Sequence, residues 1–262
     1  ELSRLDGDGV QVLAGFAGVG TPEAHRTVRS VFEGCGFDAE AVEVVTDAEL
    51  LLRALGPDGA LVIAGTGTIC VGRRLTAGGT VEARSGGYGY LLPSAFSGFG
   101  LGLAVLRELL AVADGRSGTR TALLDPVCEL LELERPLGAH VNDFLYPAEG
   151  REAAHERLAA VAPLVLDAAA AGDELGIDLV TAAANDLAHH AIAVLERLDL
   201  HEVRLGLHGG LFRHPAAHRF LVAPLVERRA IADRRVEVIT LGVFPEDLDP
   251  YEAALGELAA RR

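Results

Sequence analysis

One stretch in the first third of the chain constrains its fold more than any other. Residues 60–72 contain two short apolar runs, rich in β-branched side chains, joined by Gly65-Thr66-Gly67-Thr68. Such runs favour strands over helices, and the glycines let the turn bring its backbone amides close to a ligand. With the hydroxyl groups of Thr66 and Thr68 as further donors, the turn has the composition of a phosphate-binding loop. An ordinary glycine-rich hairpin is also compatible with this sequence.

Strands and helices alternate before this hairpin. An apolar run over 10–14 leads through a glycine-rich loop to a helix, with Thr21 as its N-cap and Pro22 as its first residue. A second strand over 42–45 ends just before Asp47. An acid at this junction either caps the following helix, or is a catalytic group exposed at the carboxyl end of a strand. The series predicts a βαβ unit followed by a β-meander that ends in a strand over 81–84.

The segment 85–98 combines many glycines with two tyrosines. It can approach a ligand closely and stack on it, although a plain glycine-rich connection is the alternative. Helical patterns follow over 99–133, with a break near 114–115, and then over 151–171 and 173–198. His189 and His190 lie in the last of these, and without metal-ligand spacing they are interpreted as packing or surface residues.

The last third of the chain returns to an α/β pattern. A strand over 203–207 runs into Gly209-Gly210 and a helix from about 215 to 228, and a strand over 236–240 precedes a closing helix from 249. A Gly-Gly pair between a strand and a helix suits a nucleotide, because bare backbone and a helix N-terminus favour contacts with phosphate and flat rings.

Charge and composition exclude several function classes. The formal net charge of −15 argues against non-specific binding to nucleic acid or to an anionic membrane. No apolar run is long enough to span a bilayer. The three cysteines, Cys35, Cys70 and Cys128, are far apart, which fits a reducing cytoplasm and offers no metal-site spacing. We therefore expect a cytoplasmic protein with no nucleic-acid or membrane partner.

An ordered set of motifs resembles the BadF/BadG/BcrA/BcrD ATPase family, and within it the N-acetylglucosamine kinase-like branch of the actin-like superfamily. The set comprises Gly15–Gly20, Thr46–Ala48, Ile63–Thr68, Gly86–Gly89, Gly172–Asp173 and Gly209–Phe212. The resemblance implies an α/β fold of two ribonuclease-H-like lobes, with ATP and a sugar bound in the cleft between them. It implies that residues 1–57 and a closing helix over 249–262 belong to the N-terminal lobe, and residues 58–248 to the C-terminal lobe.

The resemblance also implies roles for individual residues. Asp47 falls where the kinases carry the general base that takes the proton from the sugar hydroxyl, and Mg²⁺ would bridge the phosphates of ATP, with no protein ligand assigned. The residues matched to the ATP site are Gly65, Thr66, Gly67, Thr68, Gly209 and Gly210. Those matched to the sugar site are Gly18, Thr66, Thr68, Gly86, Gly87, Tyr88 and Ser94.

The chain departs from the family pattern in two places. The family opens with an Asp-Gly-Gly-Gly-Thr phosphate loop, for which too few residues precede Val10. The resemblance therefore predicts an incomplete first lobe, whose open sheet edge favours association, such as a homodimer. The family also carries Gly-Asp-Glu-Gly-Ser-Gly where this chain has Pro93-Ser94-Ala95-Phe96-Ser97-Gly98. Losing that carboxylate predicts weaker sugar binding.

The resemblance is compatible with three functions, which differ in how well they fit these features. The first is an ATP-dependent sugar kinase of the N-acetylglucosamine type with impaired activity. The second is a non-catalytic, regulatory member of the same family that binds a sugar or a nucleotide. The third, an activator ATPase, needs cysteines that hold an iron–sulfur cluster at a dimer interface, and the three cysteines do not suit that position.

Overall fold

The computed structural model describes residues 11–16, 19–146, 151–228 and 234–241 as an α/β protein. Its strands are β1 (Val12–Phe16), β2 (Val42–Thr46), β3 (Gly59–Ala64), β4 (Thr68–Thr76), β5 (Gly79–Gly86), β6 (Glu202–His208) and β7 (Arg235–Leu241). Its helices are α1 (Pro22–Gly34), α2 (Asp47–Ala54), α3 (Gly98–Ala113), α4 (Leu124–Leu131), α5 (Leu137–Leu145), α6 (Arg151–Ala159), α7 (Ala162–Ala170), α8 (Glu174–Arg197), α9 (Gly210–Arg213) and α10 (Ala223–Val226). A 3₁₀ turn covers Ala39–Ala41 and a π-helical turn covers His218–Val222.

The described strands form two sheets. A five-stranded sheet has the order β5-β4-β3-β6-β7, in which β3, β6 and β7 are parallel and β4 and β5 are antiparallel additions. The strands β1 and β2 form a separate parallel pair joined through α1. The predicted hairpin is confirmed, because Ala64 pairs with Thr68 and leaves residues 65–67 as the turn. The predicted βαβ unit is confirmed as well.

The main core lies between the five-stranded sheet and the long helix α8. Ala183, Leu187, Ala191 and Val194 of α8 are fully buried. The helix lies so close to β4 that a Cβ added at Gly72 would come within 2.7 Å of Val194. Helices α3 and α7 pack beside α8 and extend this core away from the sheet.

Helix α2 contacts both sheets. Leu50 packs with Val45 of β2, whereas Leu52 and Leu55 pack with Leu61 of β3. On the same helix, the buried Arg53 guanidinium lies 2.6 Å from a carboxylate oxygen of both Glu43 and Glu49. Burial disfavours this charge, but the hydrogen bonds to the two glutamates outweigh burial and hold the pKa of Arg53 above its usual value.

The structure corrects two helix predictions. The single helix predicted over 151–171 is divided into α6 and α7, with Pro163 in the first turn of α7. Proline lacks the amide that a continuous helix would need at that point, so a new helix starts there. The helix predicted from about 215 to 228 is a π-helical turn followed by the short α10. The helix predicted from 249 lies outside the described residues, and the lobe boundaries remain predictions.

No helix in the described part of the chain is both long and apolar enough to cross a membrane. Helix α8 is long enough, but it carries charged residues throughout, from Glu174 at its start to Arg197 at its end.

Candidate functional site

A cavity of about 730 Å³, here called the first cavity, opens around the turn between β3 and β4. It gathers residues from four separate parts of the chain. Its lining residues are Asp47, Ile63, Gly65–Ile69, Gly87–Tyr90, Leu92–Ser94, Ser97, Phe99 and His155. Asp47 is the one carboxylate in this lining. The cavity therefore combines an acid, a glycine-rich turn and an aromatic wall.

Asp47 is held at the start of α2, where β2 ends. Thr46 caps the helix by accepting a 3.0 Å hydrogen bond from the Glu49 amide, and Asp47 Oδ1 accepts a 2.8 Å bond from the Ala48 amide. Since β2 ends at Thr46, Asp47 lies at the carboxyl end of a strand, as predicted, with its side chain exposed. Its other carboxylate oxygen is free within the described part of the chain to act on a ligand in the first cavity.

The start of α3 fixes the turn over 65–67. The amides of Gly98 and Phe99 donate to the carbonyls of Gly65 and Thr66, at 2.7 and 3.1 Å. A Cβ at Gly98 would lie 3.0 Å from the Gly65 carbonyl oxygen, so a glycine permits this close approach without displacing the turn. The amides of Thr66 and Gly67 themselves have no acceptor among the described residues. Amides of this kind can bind phosphate.

Thr68 contributes a second unsatisfied group to the turn. Its side chain is buried, and its Oγ1 atom has no hydrogen-bond partner in the described ranges. Buried polar atoms in folded proteins almost always have a partner, so this hydroxyl group fits a ligand that forms a hydrogen bond with it.

Arg84 holds the glycine-rich loop that contributes Gly87 and Tyr88 to the wall of the first cavity. Its Nε atom donates to the Gly86 carbonyl at 3.1 Å, and its Nη2 atom donates to the Gly87 carbonyl. The guanidinium also lies 5.8 Å from the centre of the exposed Tyr88 ring. Gly86 and Gly87 have φ angles of 78° and 73°, which only glycine adopts readily. Arg84 has no local sequence signature, because its role depends on the fold of the loop.

The structure brings most of the predicted sugar-site residues together, but not all of them. Thr66, Thr68, Gly87, Tyr88 and Ser94 line the first cavity. Gly86 does not, since its Cα faces the ring of His190 behind the loop. Gly18 lies outside the described residues.

His155 was not predicted and belongs to the same cavity. Its ring centre lies 4.3 Å from that of Phe99 and 5.5 Å from that of Tyr90. It is carried by α6, far from the glycine motifs in sequence, and only the packing of α6 on α3 brings it to the cavity wall.

A second cavity of about 650 Å³ adjoins the first, and the two share Gly65 and Thr66. Gly210, Arg213 and His214, which follow β6, line it from one side. The neighbouring residues Glu156, Ala159 and Pro163 come from α6 and α7. The turn over 65–67 therefore forms the wall between two cavities.

Gly209 and Gly210 have different positions in this second cavity. Gly209 has a φ angle of 113°, and a Cβ there would lie 2.3 Å from the Ala64 carbonyl oxygen. It therefore packs against the end of β3, while Gly210 lines the cavity. The predicted pair thus divides into one residue that bends the chain and one that faces the open space.

The side chains of Arg213 and His214 were also not predicted. The side chain of Arg213 is exposed. The Nε2 atom of His214 lies 3.3 Å from a carboxylate oxygen of Asp167, and the Nδ1 atom of His214 accepts a 3.2 Å hydrogen bond from the Ala216 amide. An arginine beside open backbone suits a negatively charged ligand. No local sequence pattern marks these two residues as ligand contacts.

The described residues do not form a metal site of their own. No group of three or more His, Cys, Asp or Glu side chains within these ranges could hold an ion. A Mg²⁺ ion normally takes one or two carboxylates together with substrate phosphates. At this site, the phosphates of a nucleotide would have to supply most of its ligands.

Comparisons with known proteins give sequence relatives of one type. No protein-family model matches the sequence. The chain is 27% identical over 198 residues to the N-acetylmuramic acid/N-acetylglucosamine kinase of Clostridium acetobutylicum, covering 75% of this chain and 61% of that protein. It is 30% identical over 143 residues to the N-acetyl-D-glucosamine kinase of Dictyostelium discoideum, covering 54% of this chain and 42% of that protein. The chain spans less than two thirds of the length of either relative.

Solved structures agree at the level of the fold. A candidate N-acetylglucosamine kinase from Chromobacterium violaceum superimposes with a TM-score of 0.64 at 23% identity, covering 94% of this chain and 75% of that one. A candidate N-acetylglucosamine kinase from Porphyromonas gingivalis gives the same TM-score of 0.64 at 19% identity, covering 96% and 78%. A glucose complex of hexokinase from Schistosoma mansoni gives 0.51 at 14% identity, covering 90% and 61%. The chain therefore has the actin-like ATPase fold of the sugar kinases, and its sequence is similar to kinases of the N-acetylglucosamine type.

Proposed function

We propose that the protein is an ATP-dependent kinase of amino sugars such as N-acetylglucosamine, within the BadF/BadG/BcrA/BcrD family and in the cytoplasm. One observation carries the proposal: two cavities meet at the turn over 65–67, and an exposed carboxylate, Asp47, lines the first of them. A phosphoryl transfer needs two ligands in contact at a phosphate-binding loop, with a base beside the acceptor.

In this proposal the sugar occupies the first cavity and the nucleotide the second. Gly210 and Arg213 contact the nucleotide, and Tyr88 and Ser94 contact the sugar. The γ-phosphoryl group then lies at the turn, where the free amides of Thr66 and Gly67 and the hydroxyl group of Thr68 stabilise its charge. The names of both sequence relatives support an N-acetylated sugar as the acceptor.

The chemical step transfers one phosphoryl group. Asp47 takes the proton from a sugar hydroxyl, the hydroxyl oxygen attacks the γ-phosphorus, and the bond between that phosphorus and the bridging oxygen breaks to release ADP. The proton leaves Asp47 for solvent afterwards. Mg²⁺ would neutralise phosphate charge when bound, but each of these steps is assigned to residues of this chain.

The test is ATP turnover with N-acetylglucosamine and N-acetylmuramic acid as acceptors. Wild-type protein should release ADP only when an acceptor sugar is present, and Asp47→Asn should reduce kcat by about 10²-fold or more, because the amide cannot accept the proton. Asp143→Asn, at an exposed residue of α5, is the matched control and should leave kcat unchanged.

Two results would contradict the proposal. Equal turnover by wild type and Asp47→Asn would remove Asp47 from the reaction. Thermal stabilisation by sugar and by ATP without any turnover would instead identify a non-catalytic binding protein of the same fold.

A further inference from the structure

His190, on α8, holds the loop between β5 and α3 from behind. Its Nδ1 atom lies 2.7 Å from Ser85 Oγ, and its Nε2 atom lies 3.3 Å from Ser94 Oγ. The side chain is 18% exposed, and its ring centre lies 5.4 Å from that of Phe96. One imidazole therefore connects the end of β5 with a residue that lines the first cavity.

The same face of α8 makes two further contacts with this loop. A Cβ at Gly86 would lie 2.9 Å from His190 Cε1, so the ring packs directly on the glycine backbone. Asp186, one turn earlier on α8, accepts a 2.7 Å hydrogen bond from the Ala95 amide. The loop is therefore fixed to α8 at both of its ends.

The position of Asp186 determines where the ring carries a proton. Asp186 Oδ1 lies 3.6 Å from His190 Nε2, on the same side of the ring as Ser94. A carboxylate only accepts hydrogen bonds, so a lone pair on Nε2 would face it unfavourably. This geometry favours the neutral tautomer with hydrogen on Nε2, and Ser85 is the polar side chain at Nδ1 among the described residues.

This proton placement determines the role of Ser94. With Nε2–H as the donor, Ser94 Oγ accepts the hydrogen bond from the ring. The hydroxyl hydrogen of Ser94 is then free to point into the cavity that Ser94 lines. A carboxylate at this position could only accept hydrogen bonds from a sugar, whereas Ser94 presents a donor.

The geometry points to His190 as a positioning residue that makes Ser94 a hydrogen-bond donor to an acceptor oxygen of the bound sugar. This inference rests on the proposed function, because the ligand of the first cavity is taken to be a sugar. It identifies the class of sugar atom at Ser94: an oxygen that accepts a hydrogen bond, such as the carbonyl of an acylamino group.

The main test is calorimetric titration of the full chain with N-acetylglucosamine in the absence of ATP. Ser94→Ala and His190→Ala should each raise Kd roughly tenfold, the effect of losing one hydrogen bond in the site. His190→Gln should recover most of the affinity, because its amide N–H reaches the position of Nε2. His190→Asn, which reaches only the position of Nδ1, should not.

Two further variants sharpen the result. Ser94→Asp restores the carboxylate of the family pattern, for which the sequence comparison alone predicts tighter sugar binding. It should instead bind as weakly as Ser94→Ala, because the sugar oxygen at this position needs a donor and a carboxylate cannot donate. His189→Ala, at the exposed neighbour on α8, is the matched control and should leave Kd unchanged. Tight binding by Ser94→Asp, or equal loss in the glutamine and asparagine variants of His190, would overturn the inference.

A measurement without ligand tests the proton placement itself. Imidazole ¹⁵N NMR of the free protein should show His190 with a protonated Nε2, and a ring protonated at Nδ1 alone would overturn the inference. Neither test needs turnover, so sugar binding that depends on His190 without ADP release would remove only the kinase proposal. Absence of any amino-sugar binding by the wild type would remove both.

Discussion

Asp173 shows how one carboxylate can join two segments of the chain. Its Oδ1 atom caps α8 by accepting from the Gly176 amide at 2.9 Å, and also accepts from the Thr121 hydroxyl group at 3.0 Å. Its Oδ2 atom accepts from the Ala122 amide at 2.8 Å. Burial alone would raise the pKa of Asp173, but these hydrogen bonds outweigh burial and lower it below its usual value.

Asp173→Ala should lower the free energy of unfolding by about 1–2 kcal/mol at pH 7, because both the cap and the contacts to residues 121 and 122 are lost. Because the pKa of Asp173 is lower in the folded state, its ionised carboxylate stabilises the fold at pH values above the unfolded-state pKa of about 3.9. This stabilisation is lost as the pH falls through the lower pKa of the folded state. Urea unfolding from pH 7 down to pH 2.5 should therefore show the two proteins converging below about pH 4. Asp178→Ala, exposed on the same helix, is the control, and a constant difference at all pH values would contradict the mechanism.

Residues whose role depends on local chemistry could be predicted from the sequence. Thr21 and Pro22 at the start of α1, Asp47 at its junction and the turn over 65–67 were all predicted, because caps and glycine turns have short-range signatures. His190 was interpreted as packing or surface, and its actual contacts come from residues about 100 positions away. Such long-range partners have no local signature.

The crossing of helices α3 and α6 depends on one glycine. A Cβ at Gly102 would lie 1.9 Å from the Leu158 carbonyl oxygen, which is part of the α6 backbone. Since α6 carries His155 to the first cavity, this close crossing also places a side chain of the site. The helical pattern predicted α3, but nothing in its sequence showed which helix would cross it.

Gly102→Ala should destabilise the fold by about 1–3 kcal/mol, because the backbone of α6 must move away. Gly138→Ala is a matched change in α5, where a Cβ would meet nothing within 4 Å. It should stabilise the fold by about 0.5–1 kcal/mol, since alanine favours a helix more than glycine does. Urea unfolding of both variants is the measurement, and effects of the same sign would contradict this account.

The fold places the three cysteines of the chain in different environments. Cys70 is fully buried in β4, where burial raises the pKa of its thiol to about 12. Cys128 is 8% exposed, and burial raises the pKa of its thiol as well. Cys35, just after α1, is exposed. Because the thiolate is the reactive form, the folded protein should present one accessible thiol.

Titration with a chromogenic disulfide should therefore detect one fast thiol in the native protein and three after unfolding in guanidinium chloride, equal to the cysteine content of the chain. Cys35→Ser should remove the fast reaction and leave the slow ones. A second fast equivalent in the native state would show that Cys70 or Cys128 opens to solvent.

The α/β fold class could be predicted because it depends on the alternation of strand and helix patterns along the chain. The division of 151–171 into two helices has one local signal, Pro163, within an alanine-rich pattern that otherwise continues across the break. The meeting of two cavities at Gly65 and Thr66 depends on how α6, α7 and the segment after β6 pack together. Tertiary packing of this kind has no counterpart in local sequence.

Helix α2 couples the two sheets mechanically. Leu50 couples it to the β1–β2 pair, and Leu52 and Leu55 couple it to the five-stranded sheet. If the two sheets close on bound ligands, α2 cannot keep both contacts unchanged, so one of them must slide in a shear displacement. Asp47, the first residue of this helix, travels with it. If α2 moves with the β1–β2 pair, the carboxylate of Asp47 would change its distance from the turn over 65–67, with which it lines the first cavity.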